Sequence, residues 1–512
     1  MDISNSIRGI AVFTLAASLA IWLGISIVTD QTETILQVAG VIMLLTCILL
    51  GRKIWLLLIF FTALNVPLIR GFGTTEFGQV LFIGFTFLIV LLRRQPFKLK
   101  FGELEIWMLL LAACVAQVYL RNPVGLNIFG AGSVGARPYF MFTLAFLSGI
   151  LLANIVVSPL EIKWALRLSI LGSIMGVALT AFRMRLGGGT AAFEQGSLDD
   201  GKGASRSGTL TWLATNVSRV VASYVSPLRA CLHPLWAPVI LFTIAAAAAS
   251  GYRNGIAMVG LIYLVAIAYR SGFMGVMLSM LAGAFFIGFL SLVNIAIPLP
   301  PNVQRALSPF PGTWEKRYVD AANESTEWRV DMWKEALFTE FWIKNKLLGD
   351  GLGLTRKEME MMQSMMEGGQ GLDSMHSGMT AQQEAMMLTG GYHSGPVQSV
   401  RIVGYVGLTV LLLGMIRVAV HAHRQIIRCR GTEWYPIALY TGIPAIVLPI
   451  FFTFIFGEFG KDAATLVLSY GMVRLLEKNL PLPAYVKLRR MPYILKRNPR
   501  SHISHEQGNA LR

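Results

Sequence analysis

The chain has 512 residues, 54% hydrophobic and 14% charged, with a formal net charge of +16 and a mean hydropathy of +0.58. A soluble domain carries about a quarter of its residues charged, and repeated apolar runs of roughly 17–25 residues, each able to cross a hydrocarbon core, exclude that class. The basic surplus would suit nucleic acid, but it sits in short loops beside apolar runs, which argues against that partner.

In chain order, membrane helices are predicted near residues 7–29, 33–50, 54–69, 77–92, 104–120, 138–157, 161–181, 209–228, 234–250, 254–270, 273–297, 400–420, 434–456 and 460–476. The expected fold class is an all-α polytopic membrane bundle of about 12–14 spans, because backbone groups in lipid must pair without water. The first run lacks a small-residue cleavage site and reads as a retained helix. Arg219 interrupts the span at 209–228.

Lysine and arginine cluster at Arg52–Lys53, 93–100, 421–430 and 487–497. An even number of spans puts all four clusters on the cytoplasmic side, with both termini inside. The predicted organisation is a transmembrane bundle over 1–297 and an external loop domain with an amphipathic helix over 298–399. Membrane helices over 400–476 and a basic cytoplasmic tail over 477–512 follow, the tail suited to an anionic leaflet. Cys47, Cys114, Cys231 and Cys429 avoid the long polar segments, so no disulfide framework or CxxC metal site is expected.

The polar sites on the external side carry the chemistry. Arg137 in "GARPYF" stands at a helix start, where proline explains the local sequence and an interfacial arginine is the plainer reading. Asp199 and Asp200 are adjacent, so their side chains diverge, and no Asp-x-Asp metal pattern is formed. Arg253 lies in "SGYRNG", a tight turn between two apolar helices. There a cation needs water, a counter-ion or an anionic ligand, or reaches lipid phosphates.

From Ser325 an amphipathic helix is predicted, with Val330, Trp333, Leu337 and Phe341 on its apolar face, ended by "GDGLG" at 349–353. Arg329 and Trp333 are four apart and neighbours on its surface. Gly351 and its companions are read as a structural turn before a ligand contact, since no lysine-serine pair follows. The methionine-rich stretch 359–387, with His376, is read as a flexible lid rather than a copper site, its spacing being irregular. His393 stands at the mouth of the 400–420 helix and can exchange a proton near neutrality. Arg401 lies two turns further on, where it lines the same cleft or snorkels. Lys461 and Asp462 are read as a local pair.

Two guanidiniums suit a diphosphate and an imidazole suits a hydroxyl proton. At these residues the chain resembles the O-antigen ligase and O-antigen polymerase superfamily of bacterial membrane glycosyltransferases. The likeness rests on "SGYRNG", on "RVDMWKEALF…KNKLLGDGLG", and on His393-Ser394 followed by nine residues, Gly404, two residues and Gly407. Tyr252, Asn254 and Lys346 depart from the family pattern.

The resemblance implies a GT-C-type fold in the bacterial inner membrane, with an external active site and neither cofactor nor metal. The donor would be an undecaprenyl-diphosphate-linked glycan and the acceptor a lipid A–core or glycan hydroxyl, with membrane lipids as the surroundings. Arg253 and Arg329 would hold the diphosphate and His393 would activate or align the acceptor. Arg401, Arg137, Trp333 and Gly351 are the expected substrate-binding neighbours. Ligase and polymerase differ only in acceptor, and a lipid-linked oligosaccharide flippase is the rival from another class.

Overall fold

In a computed structural model, residues 46–69, 72–93, 101–125, 135–185, 207–354, 358, 360 and 381–480 are described. The predicted span at 7–29, most of that at 33–50, the Asp199–Asp200 pair, most of the methionine-rich stretch with His376, and the tail beyond 480 lie outside them. The architecture is all-α and polytopic: among the described residues, seven helices are long and apolar enough to cross a membrane.

The helices are α1 (Trp55–Leu64), α2 (Thr74–Arg93), α3 (Glu103–Arg121), α4 (Arg137–Asn154), α5 (Pro159–Arg185), α6 (Gly208–Tyr224), α7 (Pro227–Ala230) and α8 (Trp236–Ala249). They continue with α9 (Arg253–Ala296), α10 (Pro301–Leu307), α11 (Lys316–Phe338), α12 (Ala381–Thr389), α13 (Gly395–Cys429), α14 (Tyr435–Phe454) and α15 (Phe459–Asn479). The predicted spans at 138–157, 209–228 and 460–476 are helices α4, α6 and α15, although these are not among the seven. Cys47, Cys114, Cys231 and Cys429 are free thiols.

The span expected at 54–69 stops early. Asn65 takes a left-handed conformation (φ 44°) and caps α1, and Pro67 disfavours helix at the residue before it. Pro67–Ile69 instead pairs antiparallel with Phe72–Gly73.

One core runs through α3, α4, α13, α14 and α15, built on Met108, Leu111, Phe142, Leu411, Met415, Phe452, Leu466 and Tyr470. Helices α4 and α15 approach closely because Gly149 faces the Val467 backbone and Gly471 faces that of Gly149. Without a water-driven hydrophobic term in lipid, such small-residue contacts hold helices together.

Arg219 is satisfied inside the bundle. Pro444 has no N–H, so it leaves the Tyr440 carbonyl four residues earlier without its helical partner. Arg219 Nε donates to that carbonyl at 2.8 Å, and the guanidinium stacks 4.1 Å from the Tyr440 ring centroid.

Helix α9 has 44 residues, about 65 Å if straight, twice what one crossing needs. Its ends nonetheless meet: Asn302 Nδ2, just past the end, donates to Ala249 O, just before the start, at 3.1 Å. The reversal falls at Gly272 (φ 72°, ψ −167°). α9 is therefore two spans joined by a glycine turn, as the separate runs 254–270 and 273–297 predict.

Candidate functional site

The site region is built around a second interruption. Helix α13 cannot run through Gly404 (φ 72°, ψ −178°). A helix break orphans the carbonyls before it and the N–H groups after it. The loop after α11 answers both sets. Tyr405 N and Val406 N donate to the carbonyls of Lys346 (2.8 Å) and Leu347 (3.2 Å), while Asp350 N and Gly351 N donate to those of Arg401 (2.5 Å) and Ile402 (3.1 Å).

The glycines of the two patterns exist for each other here. A Cβ on Gly404 would overlap the Leu347 backbone, and one on Gly349 would overlap that of Ile402. Gly349, Gly351 and Gly353 all have positive φ. The Asp350 carboxylate accepts the backbone N–H groups of Lys344 (2.8 Å) and Asn345 (2.9 Å). "GDGLG" is thus a backbone clasp on the broken helix.

The clasp is held from outside by residues that sequence reasoning missed. Gln117 Nε2 donates to Leu348 O at 2.9 Å, Arg121 donates to the carbonyls of Leu348 and Gly349, and Asn122 Nδ2 donates to Asp350 O at 3.1 Å. Tyr139 Oη accepts from Leu352 N at 2.8 Å. The polar cluster at the end of α3, "QVYLRN", was a visible signal, but its partner lies 227 or more residues away.

Helix α11 differs from expectation in extent and in face. It begins at Lys316 and ends at Phe338, well before "GDGLG". Thr339 turns extended, with its hydroxyl on Glu335 O at 2.7 Å. Its buried face carries Met332 and Ala336, flanked by Trp328, Trp333 and Leu337, whereas Val330 and Phe341 are exposed. Small Ala336 permits a close approach and flexible Met332 fills the contact, while Phe341 lies beyond the helix end.

Trp333 packs the helix down as expected, and its indole Nε1 donates to Tyr392 O at 2.6 Å. This bond joins the helix of Arg329 to the residue preceding His393. His393 is one of two non-glycine residues with positive φ (51°) among those described. Such a conformation costs about 1–3 kcal/mol and persists where surroundings over-determine it. Tyr392 before it is fully buried, Ser394 after it caps α13, and its ring lies 5.8 Å from that of Phe456. Burial pushes the Tyr392 hydroxyl up to about 12, with Arg401 opposing and Asp350 adding to the shift.

Arg253 is the first residue of α9, and its Nη1 reaches Ala322 O of α11 at 3.5 Å. Arg329 follows Ala322 by two turns, about 10 Å along the same helix. Helix α11 therefore touches the segments of all three patterns: Arg253 directly, Arg329 as its own residue and the His393 segment through Trp333.

The remaining expected residues lie in the scaffold. Arg401 Nη2 donates to Leu388 O at 2.5 Å, capping α12, and Gly351 belongs to the clasp. Arg137 is 5% exposed, with its guanidinium 5.5 Å from the Phe72 ring, so it is buried rather than interfacial. Lys461 pairs with Glu458 at 2.7 Å, while Asp462 accepts Glu458 N at 2.7 Å. A cavity of ≈ 350 Å³ lies elsewhere, lined by Arg229, Arg270 and Arg430, and contains none of Arg253, Arg329 or His393.

No protein-family model matches this chain, and no curated protein matches it. The geometry and the residue patterns stand alone.

Proposed function

We propose that this chain transfers a glycan from an undecaprenyl-diphosphate carrier to a hydroxyl acceptor on the external face of the bacterial inner membrane. In this reading it is a GT-C-type enzyme similar to O-antigen ligases, with residues 298–399 as an external loop domain. The Trp333–Tyr392 bond carries the reading, because it brings the helix of Arg329 to the His393 segment.

In the proposed reaction the acceptor oxygen attacks the anomeric carbon, and the bond from that carbon to the diphosphate oxygen breaks. Arg253 and Arg329 hold the departing negative charge through charge-assisted hydrogen bonds. His393 takes or aligns the acceptor proton. Trp333, Arg401 and Gly351 are positioning residues that fix the segment bearing His393 and the clasp beneath it. Arg137 supports the start of α4.

The test is a reconstituted reaction with a synthetic undecaprenyl-diphosphate glycan, EDTA and an acceptor. Released carrier diphosphate together with extended acceptor is expected. Arg329→Ala and His393→Ala should each slow it by about 100-fold or more, with membrane insertion retained. Supplying core lipid and lipid-linked repeats separately distinguishes ligase from polymerase. The interrupted helix α13 is the feature that favours a flippase, since transporters bind substrate at broken helices. Translocation without bond cleavage would establish that alternative.

A further inference from the structure

The cavity of ≈ 350 Å³ is lined by Ser226, Arg229, Tyr269, Arg270, Ser271, Arg430 and Tyr435. It lies at the far end of α13 from His393, beyond a helix of 35 residues. The segment of α13 that follows the Gly404 break lies between the two, and none of Arg253, Arg329 or His393 lines the cavity, so it is separate from the site of the transfer reading.

The cavity is assembled from four places in the chain. Arg229 comes from α7, Arg270 from the end of the first half of α9, Arg430 from the cap of α13, and Tyr435 from the start of α14. Arg270 is fixed: Nε donates to Ala222 O at 3.2 Å, Nη2 donates to Ser223 O, and the guanidinium lies 5.3 Å from the Tyr435 ring. Tyr435 is held in turn by its hydroxyl, which donates to Tyr269 O at 3.1 Å. The Ser226 and Ser271 hydroxyls stand 3.5 Å apart.

Three positive charges thus line one cavity, and no carboxylate lines it with them. Among the described residues, Arg229, Arg270 and Arg430 form no ion pair with an acidic side chain. Converging like charges repel, and a bound anion relieves that repulsion. Guanidinium forks match phosphate oxygens bidentately, and two hydroxyls add donors of the same kind. The volume falls at the lower end of the roughly 300–1,000 Å³ typical of small-ligand sites.

We propose that this cavity binds the phosphate of a phosphate ester. Two sources present that chemistry at this end of the bundle: the headgroup of an anionic phospholipid and a soluble phosphate. Arg229 and Arg430 grip the phosphate oxygens, and Arg270, tied to the end of α6, supplies fixed positive potential behind them.

The test uses the full-length purified chain in phosphatidylcholine nanodiscs. One arm titrates phosphatidylglycerol and the other titrates inorganic phosphate, each read by thermal stabilisation and by native mass spectrometry. The proposal expects saturable binding of one ligand, weakened at least about tenfold in the Arg229→Gln/Arg430→Gln double variant. Arg424→Gln, which removes an exposed charge on the same helix but outside the cavity, should leave it unchanged. Lysine at 229 and 430 keeps the charge and should restore only part of the affinity. Saturation in the lipid arm assigns a headgroup, and saturation in the phosphate arm assigns a soluble ester. Binding by neither, or equal loss in the Arg424 and double variants, overturns the proposal. A double variant whose unliganded melting temperature falls is replaced by single Arg430→Gln, for which the same outcomes apply.

Discussion

Gly272 and Gly404 interrupt two long helices with nearly the same backbone angles, φ 72° with ψ −167° and ψ −178°. Their surroundings are opposite. A Cβ at Gly272 would meet nothing within 4 Å, whereas one at Gly404 would meet the backbone of Leu347 and Leu348. The first glycine lets the chain reverse between two spans. The second opens a helix so that a distant loop can bond into it. Glycine at one backbone geometry therefore has two uses, and only the neighbours tell them apart.

Substitution by alanine separates the two. Both changes place a side chain in a region essentially reserved for glycine, at roughly 1–3 kcal/mol each. Gly404→Ala adds overlap with backbone that cannot rotate away, so a total loss of about 3 kcal/mol or more is expected. It should appear as collapse of the melting temperature, and Gly349→Ala should behave alike because it faces Ile402 from the other side. Gly272→Ala should show only the first part. Equal melting temperatures for the Gly272 and Gly404 variants would remove the clasp from the account.

The next effect concerns the bond between α11 and the His393 segment. Trp333→Phe keeps an aromatic ring in the cluster with Tyr392 but removes the donor to Tyr392 O. About 1 kcal/mol of stability should be lost, and transfer should fall more than stability does. Normal transfer in that variant would show that His393 does not depend on α11 for its position.

The smallest expected effect is at Tyr392 itself. Its hydroxyl is buried with no hydrogen-bond partner in the structure, so Tyr392→Phe removes no hydrogen bond and should not lower stability at neutral pH. Its folded value of about 12 lies above the ordinary 10. The folded state thus keeps the proton longer than the unfolded chain. That stability is present below pH 10 and is lost as pH rises toward 12. A melting curve across that range should flatten in the phenylalanine variant.

Local sequence carried much of this molecule. Hydrophobic runs located most of the described spans, although one span, Thr46–Leu64, runs through the break expected at Arg52–Lys53, and the polar break at 271–272 separated the two halves of α9. The spacing of Arg329 and Trp333 placed them one turn apart on one helix. The features that escaped depend on partners far along the chain. Arg219 looked like a flaw in a span until Pro444 was seen to free the Tyr440 carbonyl. "GDGLG" looked like the end of α11, because a clasp on Gly404 is invisible without the fold. Of the four residues that helical spacing placed on the apolar face of α11, Trp333 and Leu337 pack against the buried cluster, whereas Val330 is exposed and Phe341 lies beyond the helix end.

The central claim is that Arg329 and His393 serve one reaction centre, and a double-mutant cycle in the reconstituted transfer assay tests it most directly. Groups acting on the same transition state are strongly non-additive. The Arg329→Ala/His393→Ala variant should therefore be no more than about threefold slower than the slower single variant. A rate loss equal to the product of the two single losses would mean independent contributions, and the shared site would be contradicted.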